Sequence, residues 1–233
     1  MKKTDIKRQY GFTLLEVLIS IFIFAIIMST ILSSFHAIFS NANTLNEEIY
    51  IYDMAKNCLN RMITDLRAAH FSLAPAYVKP QFNDNSDPHR IIGDTGSSAN
   101  KDFARLRFTS SAHVSFGSQV RGGIAEIVYY VQDREDGTSV LRRADTLLPE
   151  QRFDKNGFEP KGSDPVLCEN VKSLSFFYYD DEETEYETWD SDSGDVSYST
   201  PVAVKILLET GDENTSSMFE TMVGFYSGRK KIK

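Results

Sequence analysis

An apolar run that begins at Phe12 and continues almost unbroken to Leu32 constrains this chain more than any other feature. At about 1.5 Å of rise per residue, a helix over this run matches the roughly 30 Å hydrocarbon core of a bilayer. The ten residues before Gly11 include three lysines and one arginine, a distribution that keeps an N-terminus cytoplasmic. Because no small-residue cleavage site closes the run, any cleavage must fall before it and leave the helix as an anchor.

The bond between Gly11 and Phe12 is the candidate cleavage site. Glycine has no side chain and disfavours helix, so the backbone at Gly11 can enter a protease in an extended form. Cleavage there would create a new ammonium group on Phe12 at the membrane surface. We therefore predict that residues 1–11 are a leader peptide and that residues 12–40 are a transmembrane helix.

Glu16 is the one formal charge between Arg8 and Glu47. A carboxylate near the bilayer centre costs about 2.5–3.5 kcal/mol, and a side chain near the helix start can reach the interface at lower cost. Within one chain, the Phe12 amine lies one helical turn from Glu16. Between chains, Glu16 could instead face the Phe12 amine of a neighbour and fix axial register in a bundle of helices. The third interpretation is a carboxylate that is merely tolerated at the membrane edge.

The stretch GFTLLEVLIS at residues 11–20 resembles the class III signal of type IV pilins and pseudopilins. That signal combines a short basic leader, glycine, phenylalanine and a glutamate at the fifth mature position. The resemblance implies cleavage after Gly11 by a prepilin peptidase, N-methylation of Phe12, and a role for Glu16 in assembling a helical filament. Since the chain would then be the substrate of the peptidase, we expect it to have no catalytic residues and no cofactor.

Beyond Asn41 the composition becomes polar, but apolar residues recur at steps of three and four, as on one face of an amphipathic helix. No proline or glycine interrupts residues 12–73, and Pro75 ends the pattern. We predict that the helix continues over residues 41–74 and that its apolar face packs on a domain. This face contains Leu45, Ile49, Tyr52, Ala55, Leu59, Met62, Ile63 and Leu66.

Residues 75–102 are rich in Pro, Asn, Asp, Ser and Gly and are predicted to form a long surface loop. Strand-like runs follow, and Asp136-Gly137 between two of them indicates a hairpin. The predicted strands cover residues 103–109, 112–116, 124–132, 139–145, 171–179, 202–209 and 219–226. The basic end at residues 229–233 is interpreted as a solvated terminus. The expected fold is α+β and pilin-like, with the long helix packed on an antiparallel β-rich domain of residues 75–233.

Several segments of this domain also resemble minor pseudopilin J of type II secretion systems: FARLRFT, EIVYYVQ with LRRAD, LCENVKSLSFFYYD with Trp189, and TPVAVKILLE. Members of that family often have a second tryptophan near this point, whereas this chain has one. The resemblance implies a single-pass inner-membrane anchor, a periplasmic domain, and assembly at the tip of a pseudopilus that helps export folded proteins across the outer membrane. It implies the minor pseudopilins I and K as partners, with H as a further candidate beneath them.

Other functions are weighed against this interpretation. A minor pilin of a type IV pilus or competence system would have the same N-terminus. The net charge of −8 argues against nucleic-acid binding, which needs a basic face. The two cysteines, Cys58 and Cys168, are too few for a disulfide scaffold. They could form one bridge if most of the chain is exported, or they could be two small buried hydrophobes.

Asp94 lies in an Asp-Thr-Gly sequence within residues 91–98, which is similar to the signature of aspartic proteases. Such a site needs a second aspartate that shares one proton, and the chain contains no second Asp-Thr-Gly. A homodimer could supply it, but Asp-Thr-Gly is also ordinary turn chemistry, and the motif is predicted to lie in the loop.

Residues 180–195 are densely acidic, and Asp190, Asp192 and Asp195 are candidate calcium ligands within them. Their spacing does not match an EF-hand loop, because counting from Asp190 places glycine fifth and proline twelfth. One alternative is a membrane-tethered calcium-binding module, and the other is a solvated acidic loop between strands.

Overall fold

The computed structural model describes residues 13–81, 86–98, 101–114, 122–148, 153–154, 157–211 and 216–232. In chain order its elements are α1 (Leu14–Arg67), β1 (Ile92–Ser98), β2 (Lys101–Ser110), β3 (Ala125–Asp133), β4 (Ser139–Leu147), β5 (Phe153–Asp154), β6 (Gly157–Phe158), β7 (Val166–Cys168), β8 (Val171–Tyr179), β9 (Glu185–Tyr186), β10 (Trp189–Asp190), a 3₁₀ turn (Gly194–Val196), β11 (Ala203–Gly211) and β12 (Ser216–Gly224). This is the α+β, pilin-like fold that the sequence predicts.

The chain divides into two compact units, Met1–Tyr50 and Ile51–Lys233. The described part of the first unit is Thr13 and the first portion of α1. The segment Leu14–His36 is long and apolar enough to cross a membrane, and the protein buries none of it. A helix that is apolar on every side needs lipid or other helices around it, since water would be an unfavourable surrounding.

In the second unit the apolar face of α1 is buried from Ala55 onward, as its periodicity predicts, whereas Tyr52 is exposed and Ile63 is half-buried. Ala55, Leu59, Met62 and Leu66 are all less than a tenth exposed and belong to one hydrophobic core with both larger sheets. Ile49, by contrast, lies before this unit and is exposed. The core therefore begins about one helical turn after the division between the two units.

Helix α1 ends at Arg67, earlier than predicted, because its last turn and the residues after it form hydrogen bonds with the end of β2. The backbone N–H of His70 donates to the carbonyl of Thr109 at 2.8 Å. The Ser110 hydroxyl donates to the carbonyl of Asp65 at 2.8 Å, which satisfies a carbonyl of the last helical turn. Helix propensity alone would permit another turn, but a partner 45 residues away in sequence ends the helix.

The described strands pair antiparallel and form three sheets. A six-stranded sheet has the order β10-β1-β2-β3-β4-β7, a four-stranded sheet has the order β12-β11-β8-β9, and β5 pairs with β6. The hairpin predicted at Asp136 and Gly137 joins β3 to β4, and Gly137 has φ of +81°, a conformation that favours glycine. Alternation along β11 buries Val204, Ile206 and Leu208 against the core.

The loop predicted for residues 75–102 is wrong over its last part, because β1 occupies Ile92–Ser98. This strand has the composition of a turn, but it pairs with β2 along its length and with β10 at its start. Gly93 permits this arrangement, because an added Cβ would lie 1.7 Å from the Tyr178 hydroxyl oxygen of β8. The predicted strand at 112–116 does not form over 112–114, and its last two residues lie outside the described part of the chain.

The solvated terminus predicted for residues 229–233 is also wrong where the structure describes it, up to residue 232. Arg229 is 6% exposed. Its backbone N–H donates to the Thr200 hydroxyl oxygen at 2.8 Å, and the Thr200 N–H donates back to its carbonyl at 3.0 Å. Lys231 pairs with Asp180 and Asp181, at 3.1 Å in each case. The basic tail is therefore part of the folded unit.

Trp189 of β10 lies in the core near this tail and is 2% exposed. Its indole N–H donates to the carbonyl of Ser199 at 3.1 Å. The Tyr186 ring meets the indole edge to face, with a centroid distance of 5.2 Å. Hydrogen bonding and ring contact together hold the acidic segment between β8 and β11 against the sheets.

Candidate functional site

Of the residues predicted to direct processing and assembly, Gly11 and Phe12 lie outside the described part of the chain, and Glu16 lies in the first turn of α1. Thr13 caps this helix, because its carbonyl accepts the first helical hydrogen bond, from the Val17 N–H at 3.3 Å. The helix therefore begins two residues after the predicted cleavage bond.

Thr13 and Glu16 form a reciprocal capping box. The backbone N–H and the hydroxyl of Thr13 both donate to Oε2 of Glu16 at 3.0 Å, and the Glu16 N–H donates to the Thr13 hydroxyl oxygen at 3.3 Å. The pattern Thr-x-x-Glu before an apolar run is a known signature of a helix start, so the sequence carried this signal. Two orphan N–H groups of the helix start are satisfied in this way, which lowers the cost of entering an apolar surrounding.

Only one of the two oxygens of the Glu16 carboxylate takes part in this cap. Oε2 accepts both bonds from Thr13, whereas Oε1 accepts no hydrogen bond from any residue that the structure describes. The carboxylate also lies at the N-terminal end of α1, where the helix dipole favours negative charge. One oxygen therefore remains available for a further donor or cation near the helix start.

Three hydroxyl side chains along the rest of the apolar segment use their own helix as hydrogen-bond partner. The hydroxyls of Ser20, Thr30 and Ser34 each donate to a carbonyl of the preceding turn, at distances between 2.7 and 2.9 Å. Such bonds leave these hydroxyl donors satisfied without water. The segment is thus suited to lipid or to packing against other helices.

A buried ionic cluster fastens the second-unit portion of α1 to the six-stranded sheet. Asp65 is fully buried, and its carboxylate accepts from Arg143 Nε at 2.6 Å and from the Tyr129 hydroxyl at 2.5 Å. Arg61, one turn earlier, lies 2.6 Å from the other oxygen of Asp65. Burial, together with the Asp65 carboxylate, raises the pKa of Tyr129 well above its usual value, so its phenol remains a donor.

The cluster extends to the end of β4. Arg143 also lies 2.5 Å from Asp145, which accepts from the Val114 N–H at 3.0 Å and from His113. Burial opposes the charged form of Asp145, but the hydrogen bonds of Val114 and His113 and the Arg143 charge hold its pKa below the usual value. Each charged group thus faces an opposite charge, which suits a structural connection between helix and sheet.

The Asp-Thr-Gly motif lies in β1 and not in a loop. Asp94 accepts two hydrogen bonds from Arg105, from Nε at 3.1 Å and from Nη2 at 2.7 Å. Two parallel hydrogen bonds from a guanidinium to a carboxylate form a fork-shaped ion pair. The arrangement therefore provides an ion pair across β1 and β2, whereas a protease dyad needs a shared proton between two carboxyl groups.

The three candidate calcium ligands are engaged with protein donors. Asp190 accepts the Asp192 N–H at 3.0 Å, and Asp195 accepts from a serine hydroxyl at 2.9 Å. Asp192 accepts from the Tyr77 hydroxyl at 2.9 Å and from the Asp87 N–H at 2.7 Å. Within the ranges that the structure describes, no group of three His, Cys, Asp or Glu side chains is placed to hold a metal ion.

Arg229 of the C-terminal tail pairs with buried carboxylates in and beside this acidic region. Sequence reasoning missed this role of Arg229. Its guanidinium lies 3.2 Å from Asp87 and 3.6 Å from Asp192, and its Nη2 donates to the Ser191 carbonyl at 2.5 Å. It also lies 3.3 Å from the centre of the Tyr77 ring. The acidic stretch is therefore only partly the solvated loop that its composition suggests.

Cys58 and Cys168 are both free and both buried, at 2% and 0% exposure. They come from α1 and from the end of β7, and both belong to one hydrophobic core, where Cys168 and burial raise the pKa of the Cys58 thiol. The two cysteines thus meet across the core, although the sequence places them more than 100 residues apart.

Comparison with known families gives two matches along the chain. The prokaryotic N-terminal methylation motif matches residues 6–32, which include the predicted cleavage bond and the whole apolar run from Phe12 to Leu32. The family described as type II secretion system protein J matches residues 57–221, which include most of the buried part of α1 and nearly all the described strands. Comparison with curated proteins gave no match.

Proposed function

The chain belongs to the family of type II secretion system protein J, and from this premise we propose that it assembles at the tip of the pseudopilus that helps export folded proteins across the outer membrane. The family consists of structural minor pseudopilins. The observation that carries the proposal is the match over residues 57–221, on the same chain as the methylation motif at residues 6–32. A minor pilin of a type IV pilus or competence system would share the match to the methylation motif. The match to type II secretion system protein J favours secretion.

The same matches support a proposal for the layout of the chain. Residues 1–11 would be a leader removed by the prepilin peptidase, and residues 12–40 a single-pass anchor in the inner membrane. Residues 41–74 would lead from the membrane into a periplasmic domain at 75–233. In support, the segment Leu14–His36 is apolar and unburied, and three of its hydroxyl side chains donate to carbonyls of their own helix.

We propose that Glu16 guides assembly through the oxygen that the helix cap leaves available. Oε2 is committed to Thr13, whereas Oε1 has no donor among the described residues. In a packed bundle of apolar helices, an unpaired carboxylate is costly, so a cation supplied by a neighbouring subunit would be strongly favoured. The methylated amine of Phe12 in that neighbour would be such a cation.

Glu16→Gln and Glu16→Ala separate this role from helix capping. Glutamine can serve in a capping box but has no charge, so both variants should lose about tenfold or more in incorporation into the pseudopilus. Mass spectrometry should show that both are still cleaved after Gly11 and methylated on Phe12. Incorporation is measured by the amount of chain in sheared filaments.

Thr13→Ala is the matched control, since it removes the cap and keeps the charge. Its incorporation should remain within about twofold of the wild type, because a lost cap costs roughly 1 kcal/mol of local helix stability, partly recovered in the packed filament. If Glu16→Gln assembled normally while Thr13→Ala did not, Glu16 would act only as a cap.

The proposed function is tested by removing the gene and by isolating the full chain in mild detergent. Loss of the chain should block export of the folded cargo and leave pilus-based motility and DNA uptake unchanged. The purified chain should carry candidate pseudopilins I and K with it. Normal export together with the absence of any pseudopilin in the purified complex would overturn the proposal.

A further inference from the structure

The two cysteines come from parts of the chain that are far apart in sequence and meet in the core. Cys58 lies on the buried face of α1, and Cys168 is the last residue of β7. Both belong to the same hydrophobic cluster, and Cys168 lies near enough to raise the pKa of the Cys58 thiol.

Independent contacts place the end of β7 against the same turn of the helix. The Cys168 sulfur lies 3.9 Å from the carbonyl oxygen of Met54, and the Glu169 N–H lies 3.3 Å from the Met54 sulfur. In an α-helix the carbonyl of residue 54 accepts the N–H of residue 58. The Cys168 sulfur is therefore held beside the helical turn that ends at Cys58.

From this geometry we propose that Cys58 and Cys168 form a disulfide in the exported protein, joining α1 to the strand that precedes β8. The inference rests on the proposed function, because the globular unit meets an oxidising compartment only if it crosses the inner membrane. The bond would close a loop of more than 100 residues, and loops of this length give a disulfide its largest effect on the unfolded chain.

The reaction needs an oxidant, and we assign this role to an oxidised thiol–disulfide oxidoreductase of the periplasm. The thiolate of one cysteine attacks the disulfide of the oxidoreductase, forms a mixed disulfide and releases one oxidoreductase thiolate. The second cysteine thiolate then attacks the sulfur of the first cysteine and releases the other oxidoreductase thiolate. Two electrons pass to the oxidoreductase, and its two thiolates take up the two protons that the cysteines lose.

The exchange should take place while the domain is folding. Both thiols are closed off from solvent in the folded unit, so an oxidoreductase must reach them before α1 docks. Contact with Cys168, together with burial, also raises the pKa of Cys58 well above its usual value, and a protonated thiol is a poor nucleophile. Once formed, the bond would be equally protected from reduction.

The first test counts free thiols in the full chain taken from membranes of a host that contains the secretion system. Cells are quenched with acid, and the denatured chain is treated with iodoacetamide before and after reduction. We expect no labelled cysteine before reduction, two after it, and a linked peptide pair containing Cys58 and Cys168. Two labelled cysteines before reduction would overturn the inference.

A second arm shows which premise has failed in that case. The purified chain is reduced in denaturant and returned to detergent with oxidised glutathione. If the bridge forms here but not in cells, the globular unit does not reach an oxidising compartment, and the proposed function is wrong. Absence of the bridge in both arms would place it in the geometry of the two cysteines.

Thermal unfolding provides a readout of what the bridge contributes. Wild-type protein that is reduced in denaturant and refolded in a strong reductant should have a Tm about 5–15 °C below that of the oxidised protein. The double variant Cys58→Ala/Cys168→Ala is the matched control, and reductant should leave its Tm unchanged. A wild-type Tm that reductant does not move would contradict a stabilising bridge.

Discussion

Replacing Asp65 with alanine should lower the free energy of unfolding by about 3–5 kcal/mol, because the change removes one of the two carboxylates that pair with the buried Arg143. Arg143 has a side chain that is 3% exposed, and its Nε bonds directly to the Asp65 carboxylate at 2.6 Å. The Tyr129 hydroxyl would lose its acceptor as well. Guanidinium unfolding of the full chain in detergent, followed by circular dichroism, measures the loss.

Asp53→Ala is the matched control for this experiment, since Asp53 is an exposed aspartate on the same helix. We expect it to change the free energy of unfolding by no more than about 0.5 kcal/mol. Asp65→Asn keeps the shape of the side chain but not the charge, so it should lie near the alanine variant. If Asp65→Ala matched Asp53→Ala, the ionic cluster would not hold α1 to the sheet.

Replacing Arg229 with alanine should have an effect of similar size, about 3–5 kcal/mol, at the opposite end of the chain. Its removal leaves the carboxylates of Asp87 and Asp192 without their cation, and their side chains are 7% and 4% exposed. The carbonyls of Tyr198 and Ser191 would lose a donor in the same change. The C-terminal tail should then detach, which limited proteolysis would detect as early cleavage near the end of the chain.

Two further variants test whether the loss of stability is specific to Arg229 and to the geometry of its guanidinium. Lys230→Ala alters the exposed neighbour of Arg229 and should change stability by no more than about 0.5 kcal/mol. Arg229→Lys should recover little, because an ammonium group cannot reproduce the planar fork of donors that meets several acceptors at once. Full stability of Arg229→Lys would mean that charge alone, and not the fork geometry, anchors the tail.

Sequence reasoning succeeded where a local pattern decides the structure. The step of three and four residues correctly places Ala55, Leu59, Met62 and Leu66 in the core, and the Asp136-Gly137 turn correctly joins β3 to β4. These features depend on neighbours along the chain, so a short stretch contains the information. The same holds for the family, which the N-terminal motif and several strand segments indicated.

Sequence reasoning failed where a distant partner decides the structure. Strand β1 has the residues of a turn and is held by pairing with β2 and β10. Arg229 has the sequence context of a loose basic tail, but it lies between Asp87 and Asp192, and Asp87 is more than 140 residues earlier. Long-range strand pairing and long-range ion pairs leave no periodic signal in the sequence. Composition alone therefore predicted that both β1 and the Arg229 tail lie at the solvent-exposed surface.

The buried position of Trp189 makes intrinsic fluorescence a site-specific probe of the globular unit. It is the chain's one tryptophan, so the emission has a single dominant source. Its indole is 2% exposed and bonded to the Ser199 carbonyl, so the folded chain should emit at short wavelength and shift to the red on unfolding. Partner binding or membrane insertion could therefore be separated from unfolding of this unit without any added label.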